Sequence, residues 1–311
     1  LSLRWGKAEQ ITLRKVVIAV VLASIVGVIP AYTNFHMDAH GTTDPATAST
    51  VLVVALLAQG VLLSRMFKLR FWRTVQVWLT GLILNGGLSL LLALGIRTYL
   101  LDTFVIPTFD MAPTLVGNHW EGICPVCGSR AYRSTRDPHP WEGKSLMICD
   151  QFHISQAGEP GTLALPGDRF FVLKVLPHKR WDLIVFEVPS QPGVMYVKRL
   201  VGLPGETVTI EDGAIWIDGV RLEPPAHLSS LHYEATHPAY HRQPLWGSPE
   251  RPAVLQEGEY FVLGDFTAQS ADSRFWDTWD PDHSPYAVPA ENIKAVATHI
   301  YWPFSRWRAL R

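Results

Sequence analysis

The chain has 311 residues, a formal net charge of −1 and 48% hydrophobic residues. That length admits one or two domains with their own core, and the even charge balance excludes the basic excess that a nucleic-acid partner would call for. The apolar content is high for a water-soluble protein and includes twelve tryptophans. Most of it falls before residue 105, which points to a lipid bilayer as a partner.

Three uncharged runs come first: VVIAVVLASIVGVIPAY at 16–32, ATASTVLVVALLAQGVLLS at 46–64 and VWLTGLILNGGLSLLLALGI at 77–96. Each is close to the roughly 20 residues that cross a bilayer, and three so close together leave little amphipathic surface for a buried helical core. The first run lacks the small-residue cleavage site of a removable leader. Arg4, Lys7, Arg14 and Lys15 precede the first run. The loop after it has Asp38 and Asp44 but no Lys or Arg, and the loop after the second run has Arg65, Lys68, Arg70 and Arg73. Basic loops stay in the cytoplasm. The prediction is a membrane region over 1–103 with three transmembrane helices, in a multi-pass protein of the cytoplasmic membrane. Its N-terminus is inside and everything after Ile96 is outside.

The outer part, 104–311, is predicted to be mainly β. It opens with FVIPTFDMAPTLVG (104–117), a turn-rich apolar segment with one acid, Asp110. Runs rich in β-branched and aromatic residues follow at 170–176, 182–188, 194–203 and 259–265. ETVTIEDGAIWIDGV (206–220) carries a hairpin signal in Asp212 and Gly213. Two polar stretches, 118–160 and 221–252, interrupt the pattern as insertions; the second is expected to be a surface excursion.

The first insertion holds all three cysteines. Cys124-Pro-Val-Cys127-Gly has the tight spacing that lets two thiolates face one metal ion. With Cys149 and His153 it makes a candidate Cys₃His site for a structural zinc. A second C-x-x-C would place its ligand at Phe152, so the pattern departs from the usual one. His119 and His139 compete for the fourth position, and a Cys124–Cys127 disulfide or free thiols are the other outcomes. His232, His237 and His241 read as solvated loop residues.

Several segments, in order, resemble bacterial type I signal peptidases. That family carries I-P-S-G-S-M-x-P-T-L after a membrane span, and here the run is Ile106, Pro107, Thr108, Phe109, Asp110, Met111, Ala112, Pro113, Thr114, Leu115. G-D-x-x-x-V-x-K matches Gly167, Asp168 and on to Lys174. R-x-D-hydrophobic-F-x-x-P matches Arg180, Asp182, Phe186 and Pro189. K-R-x-x-G-L-P-G matches Lys198, Arg199 and 202–205 without a gap. G-D-N-x-x-x-S-x-D-S-R matches Gly264, Asp265, Ser270, Asp272, Ser273 and Arg274, with Phe266 in place of Asn. The resemblance implies a folded, partly barrel-like double β-sheet. It also implies a serine endopeptidase that trims signal peptides from exported polypeptides with a Ser/Lys dyad and no cofactor for catalysis. By position Lys198 is the general base, Thr108 offers the oxyanion hydroxyl, Ser270 orients the lysine, and Asp272 with Arg274 is a structural pair.

The nucleophile's own position holds Asp110, and Phe109 replaces the glycine before it. A carboxylate has no proton to surrender to a base, and beside an amine it favours the ammonium form. The expectation is an Asp110–Lys198 ion pair in a catalytically impaired homologue that binds exported or membrane polypeptides. Phe109 is expected to crowd the turn, so that Asp110→Ser alone restores little. The alternatives are a working peptidase with Thr108 as substitute nucleophile, a hydrolase in which Asp110 activates water, and a metal-stabilised binding module.

Overall fold

The computed structural model describes residues 54, 61, 64, 65, 70–136, 145–158, 163–188, 191–234, 244–277 and 282–311. The chain divides into two compact units, Leu1–Leu94 and Gly95–Arg311. The main helix, α1 (Phe71–Tyr99), has 29 residues. Among the described residues no helix is long and apolar enough to cross a membrane. The predicted spans at 16–32 and 46–64 lie almost wholly outside the described residues. The run at 77–96 lies within α1, where Thr80, Gly86, Gly87 and Ser89 interrupt the apolar residues.

After α1 the structure is mainly β, and every strand pair is antiparallel. The strands are β1 (Leu101–Val105), β2 (His119–Ile123), β3 (Arg130–Ser134), β4 (Leu146–Cys149), β5 (Ile154–Gln156), β6 (Arg169–Leu173), β7 (Leu183–Glu187), β8 (Met195–Gly202), β9 (Thr207–Glu211), β10 (Ala214–Ile217), β11 (Val220–Arg221), β12 (Ala253–Val254), β13 (Glu259–Leu263), β14 (Val288–Pro289), β15 (Ile293–Trp302) and β16 (Arg308–Ala309). The largest sheet runs β1-β6-β15-β7-β8-β13-β14, with β16 on β15. A second sheet runs β11-β10-β9-β12 and a third β2-β3-β4-β5. The predicted runs at 170–176, 182–188, 194–203 and 259–265 correspond to β6, β7, β8 and β13. The hairpin turns at Asp212 (φ 50°) and Gly213 (φ 77°), a left-handed pair that Asp-Gly adopts cheaply.

Both insertions differ from their expected character. The polar stretch 118–160 contains the third sheet. Its strands are short, and β3 and β4 bury adjacent residues on both faces (Ala131 and Tyr132, Ile148 and Cys149), so no alternating apolar pattern marks them. The stretch 221–252, expected to be a surface excursion, contributes Leu228, Leu231 and Tyr233 to the core built on Val201, Val208, Ile210 and Phe261. These three side chains sit at irregular spacing, which hides them from a periodicity search.

Candidate functional site

The segment 106–116 is held in place from three sides. Pairing of β1 with β6 brings it alongside Asp168. The Ile106 N–H donates to the Asp168 carbonyl (3.1 Å), and the Asp168 N–H to the Val116 carbonyl (2.8 Å). The Asp168 carboxylate accepts the Val116 N–H (2.8 Å). It also accepts two bonds from Arg306, at 2.8 and 2.9 Å, while Arg306 donates to the Pro113 carbonyl (3.0 Å). Arg199 grips Asp265 at 2.7 and 2.5 Å, and the Thr114 hydroxyl donates to the same carboxylate. Both members of that pair are buried. Such charges are tolerated only because each is paired and hydrogen-bonded.

On the third side the Phe266 N–H donates to the Asp110 carbonyl (3.0 Å). This approach requires Gly264. A Cβ there would lie 1.9 Å from the Ser270 Oγ and 2.7 Å from the Asp110 carbonyl oxygen, the second of which is rigid backbone. The glycine of this motif therefore makes room for both site residues.

Lys198 projects from β8 and is buried, 1% exposed. Its Nζ donates to the Asp110 Oδ2 at 2.5 Å and to the Ser270 Oγ at 3.1 Å. Behind it lies Asp272, whose Oδ2 accepts the Gly264 N–H (2.9 Å) and whose two oxygens each meet Arg274 at 2.8 Å. Burial pushes the Asp272 carboxyl up, but the charge and hydrogen bonds of Arg274, the Lys198 charge and the Gly264 N–H outweigh it and hold it below its ordinary value. The amine at the centre is placed to exchange a proton with a neighbour. The neighbour is a carboxylate, however, so the contact is an ion pair and not the hydroxyl-to-amine contact that activates a nucleophile.

The structure thus brings Asp110, Lys198 and Ser270 together, with Asp272 and Arg274 in support. Thr108 is exposed, and no hydrogen bond joins its hydroxyl to Lys198 or Ser270. Phe109 departs from expectation. Its φ is not in the left-handed region, so the turn does not demand glycine. Its side chain is 4% exposed and packs in a cluster with Ala112, Val116, Tyr132, Ile148 and Phe266. The rings of Phe109 and Phe266 meet edge to face, centroids 6.0 Å apart. The two aromatic departures from the family motifs are therefore one packing unit, covered by β3 and β4. Sequence reasoning gave Asp168, Arg199 and Asp265 no role beyond matching a motif and did not single out Arg306. Their partners lie too far along the chain for any local signal.

The cysteine insertion converges as expected. One thiol or ring nitrogen from each of Cys124, Cys127, Cys149 and His153 lies within 4.8 Å of all the others, an arrangement that could hold a metal ion. All three cysteines are free. Hydrogen bonding to Ser129 is the main cause that lowers the Cys127 thiol to about 6. His119 is not part of this group: its Nδ1 lies 2.8 Å from the Gly117 carbonyl and its ring packs on Tyr132. His139 lies outside the described residues.

A family model described as signal peptidase, peptidase S26, matches residues 145–302, just over half of the chain. The match takes in Lys198, Ser270, Asp272 and Arg274 but begins after Asp110. A signal peptidase I of Pseudomonas aeruginosa is 29% identical over 231 residues, covering 69% of this chain and 70% of its own. One from Bacillus licheniformis is 30% identical over 146 residues, covering 46% of this chain and 71% of its own. One from Leptolyngbya laminosa is 29% identical over 232 residues, covering 71% and 78%.

Proposed function

Because the chain belongs to the signal peptidase family, peptidase S26, we propose that it engages signal-peptide-bearing or membrane polypeptides in the manner of a signal peptidase I but has lost the step that cuts them. The observation that carries this reading is the 2.5 Å contact between the Lys198 amine and the Asp110 carboxylate. The amine that should accept a seryl proton faces an anion with no proton to give, and its remaining described hydrogen bond goes to Ser270. Loss of a hydrolase nucleophile costs on the order of 10⁶ in turnover, about 8 kcal/mol of barrier. The surrounding ion pairs hold the backbone in place but supply no second nucleophile.

The same reading places the protein in the cytoplasmic membrane, with runs 16–32, 46–64 and 77–96 as spans and 97–311 outside. It is supported by the distribution of basic residues. It is supported also by the high exposure of Leu88, Leu90, Leu91 and Leu92 on successive sides of α1, an apolar surface that calls for a lipid or protein cover. The Cys₃His group belongs to this reading as a structural element, separate from the chemistry at Lys198.

The test is incubation of the detergent-solubilised protein with a signal-peptide-bearing precursor. Wild type should retain the precursor without shortening it. Asp110→Ser should release a product cut after a small residue. Lys198→Ala in that background should abolish the gain. Because Phe109 is enclosed in the core, the single substitution is the clean test and no change at 109 is needed. Wild-type cleavage that survives Lys198→Ala would overturn the reading in favour of Asp110-activated water or Thr108.

A further inference from the structure

We propose that Cys124, Cys127, Cys149 and His153 bind one zinc ion, and that this ion fastens the sheet β2–β5 onto the segment carrying Asp110. Two independent features carry the inference: the geometry of the four ligand atoms, and the two-faced character of the sheet they belong to.

The ligands come from two turns. Cys124 and Cys127 lie in the connection between β2 and β3. There the Gly128 N–H donates to the Cys124 carbonyl (2.9 Å) and the Cys124 N–H to the Ser129 carbonyl (2.8 Å). Gly128 takes the left-handed conformation (φ 72°) that lets the chain double back. Cys149 ends β4 and His153 precedes β5, and the Cys149 N–H donates to the His153 carbonyl (3.1 Å). The Cys127 and Cys149 sulfurs are 3.7 Å apart, and the Cys124 sulfur is 4.0 Å from the His153 Nδ1. A tetrahedral ion with Zn–S bonds of about 2.3 Å sets sulfurs about 3.8 Å apart, whereas a disulfide needs about 2.05 Å. The spacing suits a metal edge. A thiolate-rich set closed at four ligands, with one imidazole, suits zinc in a structural role.

The sheet places this cluster opposite the Asp110 segment. Ala131 pairs with Cys149, and Tyr132 with Ile148. Neighbours along a strand point to opposite faces. Accordingly Ala131 and Cys149 join Cys124 in one small cluster, while Tyr132 and Ile148 join Phe109, Ala112, Val116 and Phe266 in another. A polar link runs in parallel. Asp150, next to Cys149, accepts from the Tyr132 hydroxyl (2.9 Å), which accepts from Arg306 (2.7 Å), which grips Asp168 beneath Val116. A four-stranded sheet whose strands span three to five residues has little burial of its own. Ion binding supplies the folding free energy that so small a core lacks. None of the four ligands takes part in the proton chemistry of Lys198, so the proposal stands whether or not the wild-type protein cuts precursors.

Elemental analysis of the full-length protein, purified in detergent without added metal, should find about one zinc per chain. Cobalt substitution should give the visible and near-ultraviolet bands of a tetrahedral thiolate site. Cys149→Ala should lose the metal and His153→Cys should keep it. His153→Ala, in a partly exposed turn, decides the matter if the buried Cys149 variant does not fold. Chelation should raise amide hydrogen exchange about tenfold or more in both 146–156 and 109–116, with the strands of the large sheet unchanged. A metal-free protein whose three thiols alkylate readily, or iron in place of zinc, would overturn the site. Zinc that leaves without any change at 109–116 would overturn the fastening role.

Discussion

Replacing Phe109 by glycine, the residue that the family motif places there, tests whether this side chain is core or obstruction. Phe109 is 4% exposed and Phe266 is fully enclosed. Truncating a buried phenylalanine to alanine costs about 3–5 kcal/mol from lost transfer energy and the cavity left behind. Going on to glycine adds about 0.4–1 kcal/mol of backbone entropy. The expected loss for Phe109→Gly is therefore about 3.4–6 kcal/mol, a large share of the roughly 5–15 kcal/mol that holds a domain together. At about 2–4 °C per kcal/mol for a unit of this size, the midpoint of thermal unfolding should fall by about 7–24 °C. A double-mutant cycle with Phe266→Ala should show about 0.5–1.5 kcal/mol of coupling, since the rings meet edge to face. The assay is thermal and denaturant unfolding of the full chain in detergent, followed by circular dichroism. A midpoint lowered by less than about 2 °C, with no coupling to Phe266, would show that the ring does not pack as described. It would restore the view that Phe109 obstructs the turn.

Three further outcomes are expected. Asp110→Ala should cost about 2–3 kcal/mol, because it leaves the buried Lys198 amine without its anion; the figure is below that for a fully buried pair because Asp110 is 26% exposed on its side chain. Lys198→Met in the same chain should return most of that loss, and simple additivity of the two single costs would refute the pairing. Burial holds the His119 imidazole below its ordinary 6.5, against the pull of Gly117, Glu121 and Asp168 and with the repulsion of Arg306. Its neutral form is favoured in the fold, so its stabilising share is complete above pH 6.5 and is lost as pH falls below it. His119→Gln should flatten the dependence of the unfolding midpoint on pH below about 6.5, and an unchanged slope would count against this account. Finally, a tag between Tyr32 and Ala46 should be accessible from outside the cell and one between Arg65 and Arg73 should not. The reverse labelling would sink the proposed orientation.

What the sequence by itself determined is what short-range chemistry controls. Asp212 and Gly213 announce their hairpin because a left-handed pair is cheap for those two residues. The β-branched and aromatic runs announce β6, β7, β8 and β13 because extended backbone suits them. Cys124 and Cys127 sit in one tight turn, so their convergence is visible in the spacing, and the chain order of the motifs was enough to single out Asp110 and Lys198 as a pair. The tertiary structure decided everything that depends on where distant segments meet. β15, central to the largest sheet, was not foreseen as a strand, and the third sheet lay hidden in a polar stretch because its strands are only three to five residues long and two of them bury both faces, which leaves no alternating pattern. The grip of Arg306 on Asp168 spans 138 positions and that of Arg199 on Asp265 spans 66. Nothing local marks either pair, because an arginine reads the same whether it faces water or a buried carboxylate. Phe109 shows the difference most sharply. In the sequence it stands where glycine should be and looks like an obstruction. In the fold its φ is ordinary and Phe266 fills the space beside it, so the same ring is part of the core that holds the Asp110 segment in place.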